Sequence, residues 1–222
     1  VGVYGTYDLG WSFGVLAYLQ KLLPNIEIVG EAPGASLIVR AMETKDEVEV
    51  ERIRAMGKLT TEVVAQTRDY LTSCEVRADE VLLKEDGSPL TVGDVHAKIR
   101  SWGAEKGGEL PSGFIFAIGR DAGVPHSGGT PEDLMRLGQT IVFDIYPAER
   151  GGGYYYDFTR TWSLGYATLE AQELYDQVLE IFNKLMDNFD LYSPFKDYHR
   201  MTCEYYQSKG HKTPLNTKSP IE

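Results

Sequence analysis

Residues 141–165, IVFDIYPAERGGGYYYDFTRTWSLG, set one carboxylate inside each of two β-type runs joined by a turn of proline and glycine. β-branched and aromatic residues on both sides of positions 147–153 predict an antiparallel hairpin. Successive side chains of a strand point to opposite faces, so Ile141, Phe143 and Ile145 alternate with Thr140, Val142, Asp144 and Tyr146. By the same rule Tyr154, Tyr156, Phe158 and Trp162 share one face, and Asp157, Thr159, Thr161 and Ser163 share the other. A carboxylate interrupting an apolar strand is costly to bury alone. With the turn centred between Arg150 and Gly151, Asp144 and Asp157 stand opposite each other, and two like charges that close share either a proton or a cation. The pattern also suits two solvated carboxylates, one on a strand edge and one beside the turn.

The wider context favours the cation. D-I-Y-P followed by G-Y-Y-Y-D-F-T-R-T resembles the first-half signature of the pita-bread metallopeptidases, a family that includes Xaa-Pro aminopeptidases, prolidases and methionine aminopeptidases and shares its fold with creatinase. Val124-Pro125-His126 is similar to the family's substrate-binding histidine segment, Leu137-Gly138-Gln139-Thr140 to the turn into its metal strand, and residues 40–47, RAMETKDE, to the start of its catalytic domain. The motifs cover residues 40–165 and gain specificity as a set. The resemblance implies an α+β fold: residues 41–222 as the first half of a pita-bread catalytic domain, and residues 1–40 as the C-terminal part of an N-terminal α/β domain. It implies hydrolysis of the bond before proline in short peptides, with two divalent metal ions, manganese foremost and zinc or cobalt as alternatives. Residue by residue, it makes Asp144 a ligand of one metal, Asp157 the ligand bridging both, and His126 the imidazole that contacts the substrate. One departure is the turn containing Gly151, Gly152 and Gly153, which is longer than the family's usual one and loosens the register between the aspartates.

Such a site also needs a histidine and two glutamates from a second, pseudo-symmetric half. The Gly-His-x-x-Gly and His-Glu-x-Pro segments that would carry them do not occur in these 222 residues. The expectation is therefore a fragment of a dinuclear peptidase, inactive as this chain alone. His211 lacks the following glycine of the metal histidine and reads as a surface residue near a turn. His199 reads as preceding a short helix, and His96 as a solvated or capping residue on one. Two rivals stay open: a binding module that has kept the fold without the chemistry, and a creatinase-like hydrolase that needs no metal. Retention of both aspartates speaks against the first, and the second has no need of the pair.

The chain opens as a strand over 1–5, a helix over 13–23 and a strand over 26–29, the pattern of an α/β domain. Its early glycines form no G-x-G-x-x-G fingerprint, which weakens a nucleotide-binding reading. Thr44 and Glu47 have the spacing of a capping box ahead of a long helix striped by Ile53, Met56, Val63, Val64, Thr67 and Leu71. A turn at 85–89 precedes a helix over 91–102. Thr168 caps a further helix whose Ala171, Leu174, Tyr175, Val178, Phe182, Leu185 and Met186 recur at helical spacing and should cover the sheet. A net charge of −11 argues against nucleic acid and anionic membranes as partners and favours cations. Cys74 and Cys203 are isolated, so neither a disulfide framework nor a thiolate zinc site is indicated and a reducing cytoplasm is the expected location. No signal peptide is read and no apolar run has the length of a membrane span. The oligomeric state stays open, with a homodimer as one arrangement of the intact protein.

Overall fold

The computed structural model of the chain describes residues 1–4, 7–30 and 36–216. At its N-terminal end β1 (Gly2–Val3) pairs in parallel with β2 (Val29–Gly30), and α1 (Leu9–Leu22) crosses between them. The expected strand–helix–strand order is present, with the helix starting earlier and the second strand lying later than read. Gly5, the end of the expected first strand, lies outside the described residues. Gln20 ties the unit, donating to the Ile26 carbonyl at 2.6 Å and accepting from the Ile28 amide at 3.0 Å. Among the described residues no side chain before Met56 is buried.

After α2 (Leu37–Met42) comes α3 (Glu47–Ser73), the longest helix. Its capping box is formed by Asp46 and Glu49, two residues later than expected: the Glu49 amide donates to Asp46 at 2.9 Å and the Asp46 amide to Glu49 at 2.7 Å. Thr44 and Glu47 have the spacing, but the helix begins at Glu47, so the side chain that reaches the first free amides is the charged one at 46. The expected stripe is buried from Met56 to Leu71, and Ile53 is half-buried. Its threonines Thr60 and Thr67 meet their own backbone, donating to Met56 O at 2.7 Å and Val63 O at 2.8 Å, which lets a hydroxyl sit in an apolar core.

A short hairpin, β3 (Glu75–Val76) with β4 (Leu82–Leu83), leads through the predicted 85–89 turn to the expected helix, α4 (Val92–Glu105), which Thr91 caps. β5 (Gly108–Glu109) and β6 (Phe114–Ile118) follow, then β7 (Thr140–Ile145), β8 (Ala148–Glu149) and β9 (Phe158–Ser163). The principal sheet has the order β6-β7-β9, antiparallel throughout. One face presents Phe114, Phe116, Ile118, Ile141, Phe143 and Ile145 to α3 and α4, forming the core with Val63, Leu71, Val95 and Ile99. Phe143 is its centre, with ring centroids 5.4 Å from Phe116 and 5.9 Å from Trp162. Each such side chain, once buried, contributes roughly 1.5–3 kcal/mol. The other face carries the aspartates.

The chain closes with α5 (Leu169–Asp187), capped by Thr168 as expected, and α6 (Phe195–Ser208). Here the expectation fails in part. The apolar stripe of α5 does not cover the sheet: Val178 is 52% and Phe182 56% exposed, and Ile181 alone of its residues is buried. α5 packs on α6, where Glu180 accepts from the Tyr205 hydroxyl at 2.7 Å and from Lys209 at 3.2 Å. The periodicity predicted a face to be covered but carried no information about what covers it.

Candidate metal centre

The two aspartates share a face, but the register differs from the symmetric one expected. Asp144 of β7 pairs with Thr159, and Ile145 with Phe158. The ladder continues irregularly through the Tyr156 amide on Pro147 O (3.2 Å) and the Ala148–Tyr155 bridge to a turn closed by the Glu149 amide on Tyr154 O at 3.1 Å. Asp157 is thus level with Tyr146 and diagonal to Asp144. The turn is centred one residue later than expected, which moves each pairing by two positions. Because the side-chain period is two, that displacement keeps both carboxylates on the face opposite the core. The cause lies in the 150–153 segment, where three glycines with positive φ leave the turn centre undetermined by local chemistry.

Asp144 is oriented by Thr159, whose hydroxyl donates to Oδ1 at 2.7 Å. Sequence reasoning put Thr159 on the polar face without giving it a role; the signal was the D-x-T spacing, which sets the hydroxyl two residues from Asp157 on the same side. The Asp157 carboxyl is pushed above the ordinary carboxylate range, first by partial burial and then by the Asp144 carboxylate within hydrogen-bonding reach. Two acids in that relation hold one proton between them or one cation. An all-oxygen donor pair of this kind suits a hard divalent ion. Among the described residues no third His, Cys, Asp or Glu joins them in a metal-binding group.

His126 sits on the loop that follows β6 and a single 3₁₀ turn at Asp121–Gly123. The Ser127 amide donates to Val124 O at 3.1 Å, which makes Pro125 and His126 the central residues of a turn. Proline first and a positive φ second is the type II arrangement, and His126 has φ 62°. A left-handed histidine is uncommon and such outliers cluster at functional sites. The loop then returns along β6: a Cβ on Gly129 would lie 2.6 Å from Phe116 O. Phe116 is level with Phe143, one residue from Asp144. Among the described residues no hydrogen bond or ion pair joins the exposed His126 to either aspartate. The Leu137–Thr140 turn is built as its motif suggests, with Gly138 at φ 74° and a Tyr166 ring atom 2.5 Å from where its Cβ would be.

The other histidines differ from their sequence reading. His96 is half-buried on α4, its Nε2 3.0 Å from Phe116 O and its ring edge-on to Phe114 and Phe116. Burial holds its pKa below the ordinary value, and nearby Arg100 adds to this. His199 lies inside α6, with Nε2 3.6 Å from Cys203 Sγ, where a short helix was expected only after it. His211 is near a turn as expected, but its Nε2 is 2.7 Å from Gln177 Oε1.

A three-stranded antiparallel sheet with helices on one face and an aspartate pair on the other defines a class, and the comparisons give it a family. The chain belongs to metallopeptidase family M24, whose model matches residues 51–218. Members of this family are metallopeptidases. No curated protein matches the sequence. Among solved structures, the chain resembles the prolidase from Pyrococcus horikoshii OT3 at TM-score 0.70 and 20% identity, covering 94% of this chain and 53% of that one. The X-Pro aminopeptidase from Thermotoga maritima MSB8 matches at 0.68 and 21%, over 89% and 50%. The Xaa-Pro dipeptidase from Bacillus anthracis matches at 0.70 and 15%, over 89% and 50%. The chain thus spans about half the length of these structures, and the expected α+β fold, the first half of a pita-bread domain, is the one observed. No helix among the described residues is long and apolar enough to cross a membrane.

Proposed function

We propose that the chain is part of a dinuclear metal-dependent peptidase that cleaves the bond before proline in short Xaa-Pro peptides, of aminopeptidase P or prolidase type. The observation that carries this reading is the convergence of Asp144 and Asp157 on one face of the sheet, with the Asp157 carboxyl raised first by burial and then by its neighbour. In this reading Asp144 and Asp157 would hold divalent cations, manganese foremost, with Asp157 as the ligand shared by two of them, while the Thr159 hydroxyl fixes Asp144. When bound, the metal pair supplies Lewis acidity and a water activated for attack. His126, presented by its turn above β6, holds the peptide near the scissile carbonyl. Farther along the aspartate face a cavity of about 240 Å³, lined by Thr140, Thr161, Ser163, Tyr166 and Tyr175, is below the roughly 300–1,000 Å³ of typical ligand pockets. It has room for part of a peptide, in keeping with short substrates.

Residues 1–40 belong in this reading to an N-terminal α/β domain and residues 41–222 to the first half of the catalytic domain, in a cytoplasmic protein. Two carboxylates leave most coordination positions to water or to side chains beyond this chain, so the chain alone binds metal weakly and does not turn over. The test is Mn²⁺ titration followed by paramagnetic broadening of backbone resonances, which detects weak binding. Selective broadening around Asp144 and Asp157 is expected, lost in Asp157→Asn and kept in His126→Ala. Loss of metal in His126→Ala, or unchanged binding in Asp157→Asn with a wild-type thermal transition, overturns the assigned roles. Chelator-sensitive Xaa-Pro hydrolysis by the 222-residue chain itself would overturn the claim that it is incomplete.

A further inference from the structure

The turn between the two aspartates is made of residues that cannot hold a register unaided. Gly151, Gly152 and Gly153 have φ of 81°, 91° and 149°, and glycine gives up more conformational freedom on ordering than any other residue. What holds the turn lies on α3, far away in sequence. The Glu149 carboxylate accepts from Arg52 Nε at 3.0 Å and Nη2 at 2.5 Å, and from the Tyr154 amide at 3.0 Å. The Tyr154 hydroxyl donates to Glu49, whose other oxygen caps α3 at the Asp46 amide. The Arg52 guanidinium lies 4.9 Å from the centre of the Tyr154 ring. Two glycines make room for this arrangement: a Cβ on Gly153 would stand 2.0 Å from Glu149 Oε2, and one on Gly57 2.8 Å from the Tyr156 ring. On its other side Glu149 pairs with Gly108 through the β5–β8 ladder.

Arg52 and Glu149 remain 49% and 22% exposed, and an ion pair so placed adds little to global stability. Its geometric effect is larger, since every contact grips a residue between the aspartates or next to the second one. A slip of one residue would turn Asp157 to the core face.

We infer that Arg52, Glu49 and Gly57 of α3 are positioning residues for the aspartate pair, clamping the glycine turn through Glu149, Tyr154 and Tyr156 so that Asp157 stays on the face of Asp144. The inference rests on the metal reading above and extends it to a helix that supplies no ligand.

The test combines amide hydrogen exchange with Mn²⁺ titration of the whole chain, the metal again followed by selective broadening. Arg52→Ala is expected to speed exchange of the Tyr154, Tyr156 and Phe158 amides and to weaken Mn²⁺ binding, each by about threefold to tenfold, while the Phe116 and Phe143 amides stay at wild-type rates. Arg52→Lys, which keeps the charge and one donor, should recover part of both losses. Gly57→Ala attacks the clamp sterically at Tyr156 while favouring the helix, so it should weaken Mn²⁺ binding without lowering the thermal transition, a result that a merely stabilising role does not produce. Unchanged exchange in Arg52→Ala overturns the clamp, as does a uniform rise at all amides. Locally faster exchange with wild-type Mn²⁺ affinity overturns the positioning role while leaving the metal reading standing. If the wild-type chain shows no selective broadening, the metal reading itself fails and the positioning role goes with it.

Discussion

α3 and α5 carry the same kind of apolar stripe, at the same helical spacing, and end in different environments. α3 lays Val63, Val64 and Leu71 against the sheet and α4, whereas α5 leaves Val178 and Phe182 more than half exposed and buries Ile181 alone. Most helical stability in proteins comes from packing an amphipathic face, not from intrinsic propensity, so α3 draws more on apolar contact than α5, which is joined to α6 by polar contacts. Those centre on Glu180, whose carboxyl is drawn down to about 2 by Lys184, Tyr205 and Lys209. A stripe therefore marks a surface made for covering, and its neighbours decide whether it is covered.

The largest effect that could break this contrast lies at the centre of the sheet. Phe143→Ala removes a fully buried ring and should cost about 3–5 kcal/mol, read as a fall in the urea midpoint with an unchanged slope. A loss below about 1 kcal/mol would mean that the core is not organised around Phe143.

A smaller effect concerns His96, which seals the Phe116 carbonyl from α4. Its pKa is lowered in the fold, so the unfolded chain binds the proton more readily. Stability contributed by neutral His96 is then fully present above the ordinary 6.5 and is lost as pH falls through the range below it. Arg100, which lies close enough to disfavour the charged ring, acts in the same direction. His96→Gln keeps a donor without the titration, and denaturation series from pH 7.5 to about 5 should show a shallower acid-side loss for the variant. Identical slopes would remove His96 from the account.

The smallest effect tests the other helix. Phe182→Ala on the exposed stripe should change stability by no more than about 0.5 kcal/mol, again by urea denaturation. A loss approaching that of Phe143→Ala would show that the α5 face is covered in solution.

Legibility in the sequence followed the range of the interaction. Alternation in 141–145 and 158–162 placed the core and polar faces correctly because it needs only neighbouring residues, and Thr168 named its helix's cap for the same reason. The capping box of α3 was ambiguous because Thr44 and Asp46 each have a glutamate three residues on, and only the first helical residue separates them. Register was not legible, since it depends on a glycine turn whose geometry is imposed from α3. Neither was the bond from His96 to Phe116, nor the grip of Arg52 on Glu149, since both join segments remote in sequence and leave no periodic trace. Within the candidate site, both aspartates stood out as carboxylates in β runs, while Thr159 did not, because a threonine in a strand is ordinary.

The even displacement of the hairpin pairing bears on how such a turn can change over evolutionary time. Adding or removing two residues between the strands re-pairs every position yet returns each side chain to its original side, so the oxygens stay together while the loop lengthens. A single-residue slip of the pairing instead sends one carboxylate into the phenylalanine cluster, where an unpaired charge is expensive. Re-pairing of the two strands is therefore expected to come in steps of two, the odd registers being rejected.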